Sequence, residues 1–269
     1  MPSETDRGGD LPKAGHNQHV TRIRHVFKWG VARELVPETV WRALCAVEGL
    51  RLGETVETEP VKPVMEEHIL AVEPFVTLQI WAMVNFQLWT ACRPGEACVI
   101  RTIDVKMQGK VWEYRPHTHK GEHHAKVRVV YLGPHAQEVI KPWLKSDLYA
   151  YLFSPREARA WYQAQRAARR KTLVPPNQRK RKPKSSPQRA PGECYTTRSY
   201  DHAIGRACER AGVPNWAPNQ LRHNAATRIR AAYGIEAARI ILGHASAVTS
   251  EIYADIDREK AREIMGKIG

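Results

Sequence analysis

No stretch of this 269-residue chain is both long and uniformly apolar. The most apolar run, Phe75 to Cys92, is interrupted by Gln79, Asn85 and Gln87, so it reads as a buried helix and not as a membrane span. The opening residues, Met1-Pro2-Ser3-Glu4-Thr5-Asp6, lack the apolar core of a signal peptide. Cysteine is sparse: Cys45, Cys92, Cys98, Cys194 and Cys208 are odd in number and contain no Cys-x-x-Cys pair. That excludes a zinc ribbon and a disulfide framework and fits a reducing cytoplasm. Acidic residues are also short, 28 Asp+Glu against 42 Lys+Arg, for a net charge of +14. Such an excess describes partners more than fold, and nucleic acid is the expected one, although a ribosomal or membrane-surface protein could share it. No internal repeat is visible, and the length suits one or two domains.

Residues 1–18 are polar and are expected to be disordered. From 19 to 50 the pattern turns helical. Val20, Ile23, Val26 and Phe27 recur at helical spacing, and Pro37 suits a first turn before Val40, Trp41, Leu44 and Val47. Residues 51–63 are rich in Glu, Thr and Pro without periodicity, and mark a linker. A compact unit is expected over 64–269. It comprises a short helix Glu66 to Val72 and a longer one from Pro74 to Ala91, apolar nearly all round and hence central. Thr102 to Val105, Val111 to Arg115 and Lys126 to Leu132 then read as three short strands. Helices follow at Pro134 to Leu144, at Tyr200 to Ala211, from Trp216-Ala217-Pro218-Asn219 to near Gly234, and in two or three short pieces beyond Glu236. Between them, about 154–191 holds many cations with Glu157 as its one acid. Its first half could be a basic helix, whereas Pro175, Pro176, Pro183 and Pro187 make the second half a loop.

Four short boxes punctuate that unit: Arg93-Pro94-Gly95-Glu96 after the apolar helix, Leu221-Arg222-His223, Leu242-Gly243-His244, and Tyr253 nine positions past His244. A tyrosine hydroxyl is a poor nucleophile at its free pKa of about 10, yet beside cations that hold a phosphate it can attack phosphorus and form a phosphotyrosine. In order and spacing the boxes resemble the tyrosine recombinase (phage integrase) family, over about 64–269. The resemblance implies a mainly helical (α+β) catalytic domain with a small three-stranded antiparallel sheet. It also implies a site-specific recombinase or integrase, carried by a mobile element, that cuts and rejoins DNA through a 3′-phosphotyrosine.

Under the resemblance Tyr253 is the nucleophile, and Arg93, Arg222 and His244 hold the scissile phosphate. Arginine suits that work, since it donates two parallel hydrogen bonds to non-bridging oxygens and never loses its charge. Glu96 matches the family's acidic support residue; its bland alternative is a surface ion pair. Lys120, within His117-Thr118-His119-Lys120-Gly121-Glu122-His123-His124, would protonate the departing 5′ oxygen, with Lys126 and Lys110 as rivals. The histidines around Lys120 could suggest zinc, but a short run on a turn without cysteine partners is a poor cage. No metal, ATP or other cofactor is implied, because the phosphotyrosine bond conserves the energy.

Two departures stand out. Asn219 occupies a position where the family usually has His, and a carboxamide cannot accept a proton at neutral pH. His223 is adjacent to Arg222, but on a helix it points about 100° away from it. In addition, only two helices or so precede the linker, which reads as the remnant of a core-binding domain. Arg22, Arg24 and Lys28 on its first helix, and Arg169, Arg170 and Lys171 in the basic insertion, are expected phosphate contacts that give affinity without sequence choice. Double-stranded DNA is thus the expected partner, with four protomers assembled on it and no membrane, in the nucleoid of the cytoplasm. A catalytically weakened DNA-binding remnant, a type IB topoisomerase-like enzyme and a histidine-cluster nuclease stay open at this level.

Overall fold

A computed structural model of the chain describes residues 13–51, 53–54, 61–118, 128–179 and 190–243. They fall into two compact units, Met1–Val61 and Lys62–Gly269.

The first unit is a helix pair, α1 (Lys13–Ala32) and α2 (Glu38–Cys45). Residues 13–18, expected to be disordered, lie in α1. Their helicity has a long-range cause: Asn17 accepts from the Leu50 backbone N–H at 2.7 Å and returns a bond to the Leu50 carbonyl at 3.2 Å. Local composition cannot reveal a partner 33 residues away.

The second unit is built on α4 (Leu78–Thr90), preceded by α3 (Glu66–Ala71). The expected start at Pro74 is corrected: Glu73–Phe75 forms a separate 3-10 turn, and α4 begins after Thr77, whose hydroxyl accepts from the Ile80 N–H. Such a cap satisfies one of the orphan donors of the first turn. Ile80, Met83, Val84 and Phe86 of α4 are fully buried or nearly so, in accord with a sequence apolar on all faces. Next come α5 (Pro94–Cys98) and a three-stranded antiparallel sheet in the order β1 (Val105–Lys106), β2 (Trp112–Tyr114), β3 (Val130–Leu132). Trp112 pairs with Leu132 and Tyr114 with Val130. The strand expected at Thr102 to Val105 is mostly a 3-10 turn, Thr102–Asp104. Arg101 grips both Asp104 oxygens at 2.8 Å, which folds this stretch back before β1 can extend.

The chain continues through α6 (Pro134–Ile140), the basic α7 (Pro155–Ala168), α8 (Pro176–Arg179), α9 (Thr197–Ala211) and α10 (Pro218–Leu242). One helical turn at α8 corrects the all-loop expectation for that segment. Proline at the first position of a helix lacks only an N–H that the first turn leaves unpaired anyway. Gly234 interrupts α10 with φ 87° and ψ 174°, at the place where the sequence expects the helix to end. The mainly helical fold with its small antiparallel sheet matches the expected class. Among the described residues, no helix is long and apolar enough to cross a membrane.

Candidate functional site

The end of α4 makes an unusual corner. Ala91 closes the helix in the left-handed region, φ 55° and ψ 22°, a conformation that costs a non-glycine residue about 1 kcal/mol. Local bonds fix it there: Ala91 N–H to the Gln87 carbonyl at 2.8 Å, Gln87 Nε2 to the Cys92 carbonyl at 3.1 Å, and Cys92 N–H to the Thr90 hydroxyl at 3.3 Å. Burial, reinforced by the nearby Glu96 charge, pushes the Cys92 thiol up to about 12, so it is an inert packing residue. The corner delivers Arg93 directly to the start of α5.

Glu96 sits one turn into α5 and is only 3% exposed, which disposes of the surface ion pair as its role. Its carboxylate accepts from the Arg93 N–H at 2.9 Å and from Arg93 Nη1 at 3.0 Å. Arg128 approaches both oxygens from the other side, Nε to Oε1 at 3.3 Å and Nη2 to Oε2 at 3.5 Å. Burial alone would raise this carboxyl. The Arg128 guanidinium, the Arg93 N–H, and the charges of Arg93 and Arg222 outweigh it and hold the group below its ordinary range. Tyr114 of β2 ties α5 to the sheet, its hydroxyl donating to the Glu96 carbonyl at 2.7 Å.

Arg222 reaches the same place from α10. The helix packs on Ala91 through Leu242 and through Ala225, Ala226 and Ala238, small residues that bring backbone close to backbone. Arg222 is 2% exposed and donates from Nη1 to the Ala91 carbonyl at 2.6 Å and from Nη2 to the Leu242 carbonyl at 2.7 Å. Arg128 Nη1 meets the neighbouring Ile241 carbonyl at 3.2 Å. The two guanidiniums therefore satisfy carbonyls that a helix C-terminus leaves unpaired, at its negative end. α10 stops at Gly243, φ 65°, where an added Cβ would lie 2.6 Å from Arg128 Nη1.

Of the residues singled out in the sequence, Arg93, Glu96 and Arg222 thus share one charged junction. His244, Tyr253, Lys120 and Lys126 lie outside the described residues, as do His119, His123 and His124 of the histidine run. Asn219 is exposed at the start of α10, its Nδ2 3.5 Å from His223 Nε2. Burial, then the Arg222 charge, lower the affinity of His223 for a proton, which leaves the imidazole neutral at neutral pH. In the first unit Arg22 is exposed, Arg24 donates to the Leu44 carbonyl at 3.0 Å, and Lys28 lies 5.8 Å from the Trp41 ring. Arg169, Arg170 and Lys171 are exposed at the end of α7, where Gln163, Arg166, Ala167, Arg170 and Val174 line a groove of about 350 Å³.

Arg128 was not among the sequence candidates. Its signal was available in the alternation running into β3: Arg128, two residues before the strand, shares one parity with Val130 and Leu132, and all three are buried, whereas Tyr131 is exposed.

A sequence profile of the phage integrase family matches residues 67–260. Among solved structures, a lambda integrase dimer bound to a COC′ core site aligns with a TM-score of 0.59 at 11% identity, over 91% of this chain and 74% of that one. The Tn1549 transposon integrase in complex with circular intermediate DNA gives 0.55 at 16%, over 98% and 89%. The XerA recombinase gives 0.50 at 18%, over 96% and 84%. At these identities the likeness is one of fold. The chain spans 56% of the length of the XerH recombinase solved with its difH substrate. A search of curated proteins gives no match.

Proposed function

This chain belongs to the phage integrase family, and on that footing we propose that it is a tyrosine recombinase that cuts and rejoins double-stranded DNA. The observation that carries the reading is the charged junction: Arg93 and Arg222, distant in sequence, both reach the corner at Ala91–Glu96, and α10 ends one residue before Gly243 and two before His244.

In the proposed reaction Arg93, Arg222 and His244 bind the non-bridging oxygens of the scissile phosphate. The Tyr253 hydroxyl oxygen attacks phosphorus and loses its proton to solvent water, and the bond from phosphorus to the 5′ oxygen breaks. Lys120 supplies a proton to that leaving oxygen. The products are a 3′-phosphotyrosine and a free 5′-hydroxyl, and attack by a 5′-hydroxyl of the partner strand reverses the steps. Positioned donors of this kind lower a barrier by roughly 2.7–4 kcal/mol each. Because Asn219 is no proton acceptor, the reading assigns the activation of Tyr253 to the surrounding cations, which stabilise the phenolate. A complete exchange requires four protomers around two duplexes, so assembly on DNA is part of the proposal. Solved relatives engaged with DNA, such as the Tn1549 integrase on its circular intermediate, support the choice of partner.

Capture of a covalent adduct on nicked duplex DNA tests this. Wild type is expected to be trapped, and Tyr253→Phe is expected to abolish trapping. DNA binding without an adduct on any duplex would instead favour a catalytically silent DNA-binding protein, the reading that Asn219 motivates.

A further inference from the structure

We propose that Arg128, which belongs to none of the four boxes, is a positioning residue for strand cleavage, clasping the Arg93–Glu96 pair to the last turn of α10. The proposal rests on the recombinase reading above and adds a residue to its machinery.

Three observations carry it. Arg128 is 8% exposed, and a buried guanidinium is costly unless its donors are met in good geometry. Here they are met in two directions, toward both Glu96 oxygens and toward the Ile241 carbonyl. Secondly, the Glu96 carboxylate is saturated: two hydrogen bonds from Arg93 and two from Arg128 occupy the roughly four lone-pair sites that a carboxylate offers. Arg93 cannot shift without disturbing Arg128. Thirdly, the approach of Arg128 to α10 runs over Gly243, where any side chain would collide with Nη1. The clasp therefore joins α5, which presents Arg93, to the carbonyl adjacent to the one held by Arg222, two residues before Gly243 and three before His244. A misplacement of reacting groups by about 1 Å can cost on the order of 100-fold in rate. Arg128 acts by preventing it, through Glu96 and Ile241, without touching the phosphate.

The groups that face Glu96 define a pH signature. Arg128, Arg93 and Arg222 are cationic, while the Cys92 thiol and the Tyr114 hydroxyl stay protonated. Removing the Arg128 cation takes away the largest of the effects that hold the carboxyl down, so the carboxylate that orients Arg93 is lost earlier as acid is added.

The test uses the full chain and nicked duplexes from a randomised-sequence pool, with the trapped wild-type adduct sequenced to supply the substrate. Arg128→Met, apolar and of similar length, is expected to lower the single-turnover rate of adduct formation about 100-fold. Duplex affinity should stay near that of wild type, and the acid limb of the rate–pH profile should move to higher pH. Combined with Glu96→Gln, it should cost no more than Glu96→Gln alone. Arg128→Lys keeps a charge for Glu96 but cannot span both partners, so it is expected to restore the acid limb without restoring the rate. If Arg128→Met does not fold, the lysine variant carries the test. A wild-type rate in either variant overturns the proposal, as does a rate loss matched by an equal loss of duplex affinity, or multiplicative losses in the double variant. A wild type that gives no Tyr253-dependent adduct overturns the recombinase reading itself, and the role of Arg128 with it.

Discussion

Arg222 donates to two backbone carbonyls, Ala91 and Leu242, and Arg128 to a third, Ile241. Gly243 is the residue that makes this possible, by its positive φ and by its missing side chain. We expect Gly243→Ala to destabilise the protein by about 1–3 kcal/mol, read as a lower denaturant midpoint, because the backbone and Arg128 must both yield. An unchanged midpoint would contradict the packing described. His223 gives a second expectation. Its folded-state affinity for protons is below the ordinary imidazole value, so protonation favours the unfolded chain. Its contribution is therefore intact above the unfolded pKa of about 6.5 and fades as pH falls below it. Proton NMR of the imidazole should give a midpoint under that value, and His223→Gln should flatten this part of the stability–pH curve.

Among the elements, α10 has the most to do. It presents Leu221 to the core, Arg222 to the charged junction and Asn224 to both backbone groups of Val64, at 2.8 and 2.6 Å. Its break at Gly234, φ 87° and ψ 174°, is open to glycine almost alone. Gly234→Ala is expected to cost about 1–3 kcal/mol and to raise amide exchange over 235–242 selectively. Uniform exchange along α10 would show that the break carries no strain. The sequence makes that break legible, along with the central helix and the junction of Arg93, Glu96 and Arg222, since each follows from periodicity or from an ordered box. What is not legible depends on distant partners. The turn at Thr102–Asp104 adds to its local Arg101–Asp104 bonds one from the distant Lys145 N–H to the Thr102 hydroxyl, and the first turns of α1 are tied to Leu50. Arg128 is easily passed over because Lys126, two residues earlier in the sequence, offers the more familiar chemistry for a cation near a phosphate.

Across the whole molecule the net charge of +14 is unevenly spread, and α7 with the residues after it is its densest described part. Arg159, Arg166, Arg169, Arg170 and Lys171 stand on or just after α7, all five exposed, and Glu157 at the base of α7 is already paired with Lys145. Neutralising those five is expected to weaken binding to a random-sequence duplex uniformly. The slope of log K against log salt should shrink by about 0.9 for each phosphate that the variant no longer neutralises. Fluorescence anisotropy over a salt series measures it, and an unchanged slope would remove α7 from the DNA-binding surface. Adduct chemistry at a saturating duplex concentration should survive the change. The junction itself has a consequence for divergence. Main-chain oxygens at 91, 241 and 242 are supplied by whatever residue stands there, so these hydrogen bonds ask nothing of side-chain identity, and it is packing that constrains Ala91 and Leu242. An architecture wired to the backbone in this way tolerates drift, and it is compatible with a shared fold at 11% identity.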